Sequence, residues 1–189
     1  MSDIITAATL KPYLGIAADD TAHDTVLAII ISGVSEAIQN ELGRPLIEDE
    51  YEDLALDGSG RSFLYLPYWP VSELTEITED GATLTEGEDD DFRLYTEDGV
   101  LVKYSGIWSK GLKNVIVTMT AGYTIANIPK DLQFMAMNKI AREWKKQRGQ
   151  LWGEDSRTFP DGSVQSVRLD DHLLDGELKI LQKYKRKYI

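Results

Sequence analysis

The sequence predicts an α+β fold: a helical bundle of two N-terminal helices, one long central helix and one C-terminal helix, with an antiparallel β subdomain inserted. Apolar residues recur at three- and four-residue steps over Asp20–Leu42 and again over Asn127–Arg148, which puts them on one face of a helix. Between these stretches, Leu46–Tyr123 breaks into short β-rich runs at roughly ten-residue spacing, with turn dipeptides between them. Strands bracketed by helices in this order read as α+β. The 189 residues are read as one domain, long enough to bury about 70% of the unfolded surface. Its expected divisions are the N-terminal helices in 1–45, the β subdomain in 46–126, the long helix in 127–150, an extended loop in 151–174 and a basic helix in 175–189.

The first helix is expected within Ile4–Ile16, capped by Thr6 or Thr9 and closed by Gly15. Pro12 is tolerated in a first turn, so the spacing predicts a start close to Thr9. The second helix, Asp20–Leu42, has Asp20 or Thr21 as candidate caps, Asp24 near the positive end of the dipole, and Gly43 and Pro45 as its stop. Leu27, Ile30, Ile31, Val34, Ile38 and Leu42 form its stripe. His23 at its start reads as a solvated or capping histidine, since no second ligand lies four residues on.

The β region is organised around Ser62–Ile77, with six large apolar side chains in the seven residues from Phe63 to Trp69. Pro67 and Pro70 cannot donate to a ladder, so one strand should end near Leu66 and another begin near Val71. Asn114–Tyr123 is expected to be its companion strand. Tyr51–Leu56 forms an earlier strand, Asp80-Gly81 marks a hairpin, and Asp98-Gly99, between FRLY and VLVKY, is a stronger signal for a tight turn.

Pro129 and Asp131 suit the first turn of the long helix, whose buried stripe is Leu132, Met135, Ala136, Ile140 and Trp144. Residues 151–174 carry Gly153, Pro160 and Gly162 and no period, hence a loop. In the terminal helix, expected over Asp175–Tyr188, Leu178, Leu181 and Tyr184 or Tyr188 make a stripe, and Lys183, Lys185, Arg186 and Lys187 make a basic end.

Composition bounds the function. With no Cys, disulfides, zinc-thiolate sites and thiol nucleophiles are all excluded. No apolar run approaches the ~18 residues of a membrane span, and MSDIIT lacks the basic start of a signal peptide, so no membrane partner is expected. A net charge of −12 opposes ordinary DNA binding, in which Lys and Arg neutralise phosphates. Residues 1–100 hold 23 Asp/Glu against 4 Lys/Arg, a net of −19, and residues 101–189 hold 9 against 16, a net of +7. Such a protomer either repels itself head to head and attracts itself head to tail, or simply has two solvated faces.

The acidic run Glu86–Asp91 fails the EF-hand pattern: counting from Asp89, the sixth position is Leu94 rather than Gly and the twelfth is Val100 rather than Glu. It reads as an acidic hairpin tip, so no metal or cofactor is expected. Asp170, Asp171 and His172 are hydrolase fragments without a Gly-x-Ser-x-Gly elbow. An acid/base hydrolase using carboxylates of the acidic half is the competing class, but it needs two carboxylates held in a cleft.

Four stretches in this order resemble the head–tail connector (adaptor, or head-completion) proteins of long-tailed phages and prophages. They are DDTAHDTVLAIIISGVSEAIQNELGRPL, with its Gly/Arg/Pro-type stop; LPYWPVSELTEITEDGATL, with its Leu-Pro-x-x-Pro-Val pair; VIVTMTAGYTIANIPKDLQFMAMNKIAREW, with Ala-Gly-Tyr leading through Ile-Pro into a helix; and LKILQKYKRKYI. Met119 stands where the family carries an aromatic, and 86–91 and 151–174 are less family-like.

The resemblance implies a structural virion protein rather than an enzyme. It would be made in the host bacterial cytoplasm and placed at the head–tail junction. There it would form a ring under the portal, expected to be twelvefold, and bridge the DNA-filled head to the next neck or tail protein. Genomic DNA would pass through without specific binding. Tyr68 and Trp69 are candidates for the subunit interface, or else close the sheet's own core. Lys183, Tyr184, Lys185, Arg186 and Tyr188 are candidates for portal docking, and Asp89, Asp90 and Asp91 for lining the channel.

Overall fold

The structure is a computed structural model and describes residues 3–87, 91–149, 156–158, 164–166 and 173–186. Its elements run α1 (Ala7–Tyr13), α2 (Asp24–Leu42), β1 (Asp49–Gly58), β2 (Phe63–Tyr65), β3 (Val71–Glu79), β4 (Ala82–Thr83), β5 (Phe92–Tyr95), β6 (Val100–Lys103), β7 (Gly111–Ala121), α3 (Lys130–Gly149), β8 (Ser156–Thr158), β9 (Val164–Ser166) and α4 (Asp175–Tyr184). They form two compact units. One is helical, from Met1–Gly43 and Ile128–Lys187, and the other is the β unit, Arg44–Asn127.

In the helical unit, the Thr6 hydroxyl caps α1 by accepting from Thr9 N at 3.2 Å. Pro12 therefore lies in the last turn, not the first. The expected start near Thr9 is corrected, because a seven-residue helix loses only the bond that Pro12 would have sent to the carbonyl four residues back. Gly15, at φ 70°, lets Ile16 N reach Lys11 O and Gly15 N reach Pro12 O, closing the helix as a Schellman motif.

α2 begins four residues later than expected. Asp20 spends its side chain on Ala22 N at 2.9 Å, an Asx turn that competes with helix. The buried Lys11 ammonium then bonds Asp20 O at 2.8 Å and forms an ion pair with Asp24 Oδ1 at 2.6 Å, tying α1 to the start of α2. Leu27, Ile31, Val34, Ile38 and Leu42 are buried, and Gly43 ends the helix at φ 71°. α3 starts at Lys130, with Pro129 just outside it and the Pro129 carbonyl accepting Gln133 N. All five residues of its expected stripe are buried. α2 contacts α1, α3 and α4, and α3 contacts α4. α4 stops at Tyr184, where Lys185 turns extended, so the expected run to Tyr188 is too long. The segment read as loop contains an antiparallel pair, β8 with β9.

The β unit has two antiparallel sheets, ordered β1-β7-β3-β4 and β2-β6-β5. β7 is paired on both sides, and Val115, Val117, Met119 and Ala121 point alternately into the core. Leu66, Ile77, Phe92, Leu101 and Trp108 complete that core. The proline rule holds: β2 ends at Tyr65 and β3 begins at Val71. Asp80 and Gly81 take φ of 50° and 82° between Glu79 and Ala82, the tight hairpin their sequence promised. Around Asp98-Gly99 the turn is wider. Tyr95 pairs with Val100, so four residues (96–99) connect β5 to β6, and of these only Gly99 takes a positive φ, 58°.

Folding redistributes the charge. Residues 44–127 hold 17 Asp/Glu against 6 Lys/Arg, a net of −11, and the remainder is close to neutral at −1. The basic C-terminal stretch packs with the acidic N-terminal one, as in the Lys185–Glu41 pair at 2.6 Å. The contrast between sequence halves is thus cancelled within the helical unit, while the acid excess collects on the sheets.

Candidate assembly site

Three of the four stretches that carry the resemblance meet at one point of the β unit. Arg44 follows the helix-stop glycine and is buried. Its guanidinium lies 4.0 Å from the Trp69 ring centroid and donates to the Trp69 carbonyl. The Trp69–Pro70 peptide is cis. The Pro70 carbonyl accepts Gly122 N at 2.8 Å. On the far side, Tyr123 N reaches Leu46 O at 2.7 Å and Glu48 N reaches Tyr123 O at 3.0 Å.

Gly122 is there because nothing else fits. Its φ is 118°, and a Cβ would sit 2.6 Å from Glu48 N and from the Ile47 carbonyl carbon. The Gly-Arg-Pro stop, the Pro-x-x-Pro bend and the Ala-Gly-Tyr exit are one clamp, closing the place where the chain enters and leaves the sheets. Residue chemistry singled out Trp69 and its prolines. It missed the backbone approach at Gly122, whose signal was a glycine directly after a strongly alternating strand.

Tyr68 stacks on Tyr51, with centroids 4.0 Å apart and planes at 17°. Both rings of the Tyr68–Trp69 pair are half-buried, so each has one face engaged within the unit. Burial raises the Tyr51 pKa above its ordinary 10.0, helped by Tyr68 and Asp49 and opposed by Arg44. A raised acid holds its proton in the folded state. The stability it contributes is present in full below about pH 10 and is lost as pH rises through the folded value. Urea unfolding above about pH 10 should therefore lose stability more steeply in the native chain than in Tyr51→Phe; equal slopes would contradict this account of the stack.

Three of the docking candidates have partners within the helical unit. The Tyr184 hydroxyl donates to Asp131 Oδ1 at 2.5 Å, Lys183 lies 3.6 Å from Asp131 Oδ2, and Lys185 pairs with Glu41. Arg186, beyond α4, is half-buried, and Tyr188 lies outside the described residues. Of the channel candidates, exposed Asp91 accepts Thr85 N at 3.0 Å. Asp89 and Asp90 lie outside the described residues, as do Asp170, Asp171 and His172. His23 sits at the helix N-cap without a side-chain cap bond, its ring edge-on to Trp144 at 5.2 Å. Among the described residues, no three His, Asp or Glu side chains gather as a metal site, and no helix is long and apolar enough to cross a membrane.

These features define an α+β scaffold whose characteristic residues fix backbone to backbone. The chain belongs to the head completion protein family, which matches residues 3–187. No curated protein matches it. Among solved structures it is similar to a chain in the neck of an empty gene transfer agent (GTA) particle computed with C6 symmetry, with TM-score 0.58 and 14% identity, covering 100% of this chain and 95% of that one. A chain of the native GTA virion gives 0.57 and 16%, covering 100% and 96%. One from the native GTA neck computed with C12 symmetry gives 0.57 and 14%, covering 100% and 94%. At these identities the likeness is one of fold.

Proposed function

We propose that this chain is a structural component of the virion, sited at the head–tail junction, where it completes the DNA-filled head and carries the next neck or tail protein. The observation that carries this reading is the family match across nearly the whole chain. The reading extends to a ring under the portal protein, twelvefold in the particle, for which the symmetric necks of the similar GTA structures are the support. The helices act as one bundle and the β unit as an inserted body. DNA passes through the ring without specific contacts, and no catalytic step is assigned to the chain.

Within this reading, Tyr68 and Trp69 face a neighbouring subunit with the ring faces their own unit leaves open. Lys183, Tyr184, Lys185, Arg186 and Tyr188 belong to the surface that meets the portal. Asp89, Asp90 and Asp91 face the channel, where negative charge keeps phosphates from adhering. The test is complementation. Particles assembled without the chain should accumulate as filled or leaking heads lacking tails, and purified protein added back should restore tailed particles. Normal tailed particles in its absence would overturn the reading.

A further inference from the structure

We infer that the β unit joins the β unit of a second copy head to tail, through the two opposite ends of β7; this rests on the ring reading above. β7 has 11 residues, so at about 3.3 Å per residue its ends lie on the order of 30 Å apart. The chemistry of the two ends differs.

At the Gly111 end, the connection from β6 and the start of β7 expose Tyr104, Ile107 and Leu112, at 45%, 58% and 87%. Trp108, in the same connection, is fully buried. Its backbone N–H bonds Arg61 O at 2.8 Å and its carbonyl accepts Gly60 N at 3.0 Å, while Ser109 N bonds Glu79 Oε1 at 2.6 Å. The apolar side chains are thus presented on fixed backbone, which lowers the ordering cost of binding. Arg61, Lys110 and Lys113 are exposed around them. Exposed acids lie among them: Asp57 accepts Lys113 N at 2.7 Å, Asp80 accepts the Asn114 amide at 3.3 Å, and the Asp91 carbonyl accepts Tyr104 N at 3.3 Å, so this tip carries both signs.

At the Ala121 end acids predominate. The turn 96–99 is fixed by Val71 N to Thr96 O at 2.9 Å and Leu66 N to Gly99 O at 2.8 Å. It exposes Tyr95, Glu97 and Asp98, and the start of β1 exposes Asp49 and Glu50. The half-buried Tyr68 and Trp69 belong to this end. Its Arg44 is buried beneath Trp69, and Arg93 lies over the Tyr95 ring at 5.8 Å.

The apolar tip offers exposed cations to the acidic aromatic end, which cannot face a second copy of itself without setting acid against acid. A two-fold contact through the acidic ends would set like against like. A heterologous contact sets Lys110 and Lys113 against Asp49, Glu50, Glu97 or Asp98, and repeats until it closes. Rim charges fix the orientation, and the apolar and aromatic side chains hold the contact.

The experiment places a photo-crosslinking amino acid at Leu112 and irradiates assembled particles. Links to residues 48–51, 68–71 or 95–98 of another copy are expected. Links elsewhere, or none in necks that contain the protein, overturn the inference while leaving the proposed function intact; a protein absent from necks overturns both. In parallel, Lys110→Glu/Lys113→Glu should cut incorporation roughly tenfold or more. Adding Asp49→Lys/Glu50→Lys to the same chain should restore it. A folded four-site variant that incorporates no better than the two-site one refutes the contact.

Discussion

Gly122→Ala should destabilise the β unit by about 3–5 kcal/mol, combining a backbone conformation L residues rarely adopt with an overlap that only backbone movement can relieve. The methyl would enter at φ 118°, 2.6 Å from Glu48 N and the Ile47 carbonyl carbon. Relief requires Gly122 or residues 47–48 to move. That movement would disrupt the bonds from Gly122 N to Pro70 O and from Glu48 N to Tyr123 O. Gly33→Ala is the control. Gly33 lies inside α2 with nothing within 4 Å of an added Cβ, so there alanine should be neutral or stabilise by up to ~1 kcal/mol. Thermal unfolding followed by circular dichroism should show a fall in Tm on the order of 10 °C for Gly122→Ala, and none for Gly33→Ala. Equal Tm values for the two variants would remove the clamp from the account of why the Ala-Gly-Tyr stretch is built as it is.

The same residues show what was legible in the sequence. Periodicity located α2, α3 and β7 because each buries a continuous stripe, and burial is what periodicity encodes. It misplaced the helix starts at Asp20 and Asn127, where side-chain and carbonyl bonds at the ends decide the boundary rather than the apolar face. Pro12 misled for a related reason: the rule against interior proline weakens when the helix is only about two turns long. Charge misled most. Counting along the chain gave two opposed halves. The fold instead pairs the basic C-terminal stretch with the acidic N-terminal one and leaves the acid excess on the β unit. Trp69 was conspicuous in the sequence as an aromatic between prolines, but its partner Arg44 was not, because a lone arginine after a helix stop looks like any surface cation. The same holds for Glu79, one acid among many in a strand of alternating polarity.

Glu79 differs from those other acids in being buried, and its partner is the second large-effect test. Its carboxylate pairs with Lys103 and accepts Ser109 N at 2.6 Å, with side-chain exposures of 8% for Glu79 and 13% for Lys103. The Lys103 ammonium also lies 5.0 Å from the Trp108 ring centroid. The pair therefore joins the end of β3, the end of β6 and the connection that presents Ile107 and Leu112. Glu79→Gln removes the charge and leaves an ammonium in a poorly solvated place, which should cost about 3–5 kcal/mol. Glu79→Gln/Lys103→Met removes both charges and should regain most of that loss, since an ion pair out of water is worth little more than an apolar replacement of similar size. Urea unfolding of the two single variants and the double would measure this as a coupling energy. Additive losses would mean that the pair is incidental to stability. A coupling of several kcal/mol would mean that the acid is retained to hold the connection in one conformation, and Glu79→Gln should then also reduce incorporation into necks beyond what its stability loss alone explains.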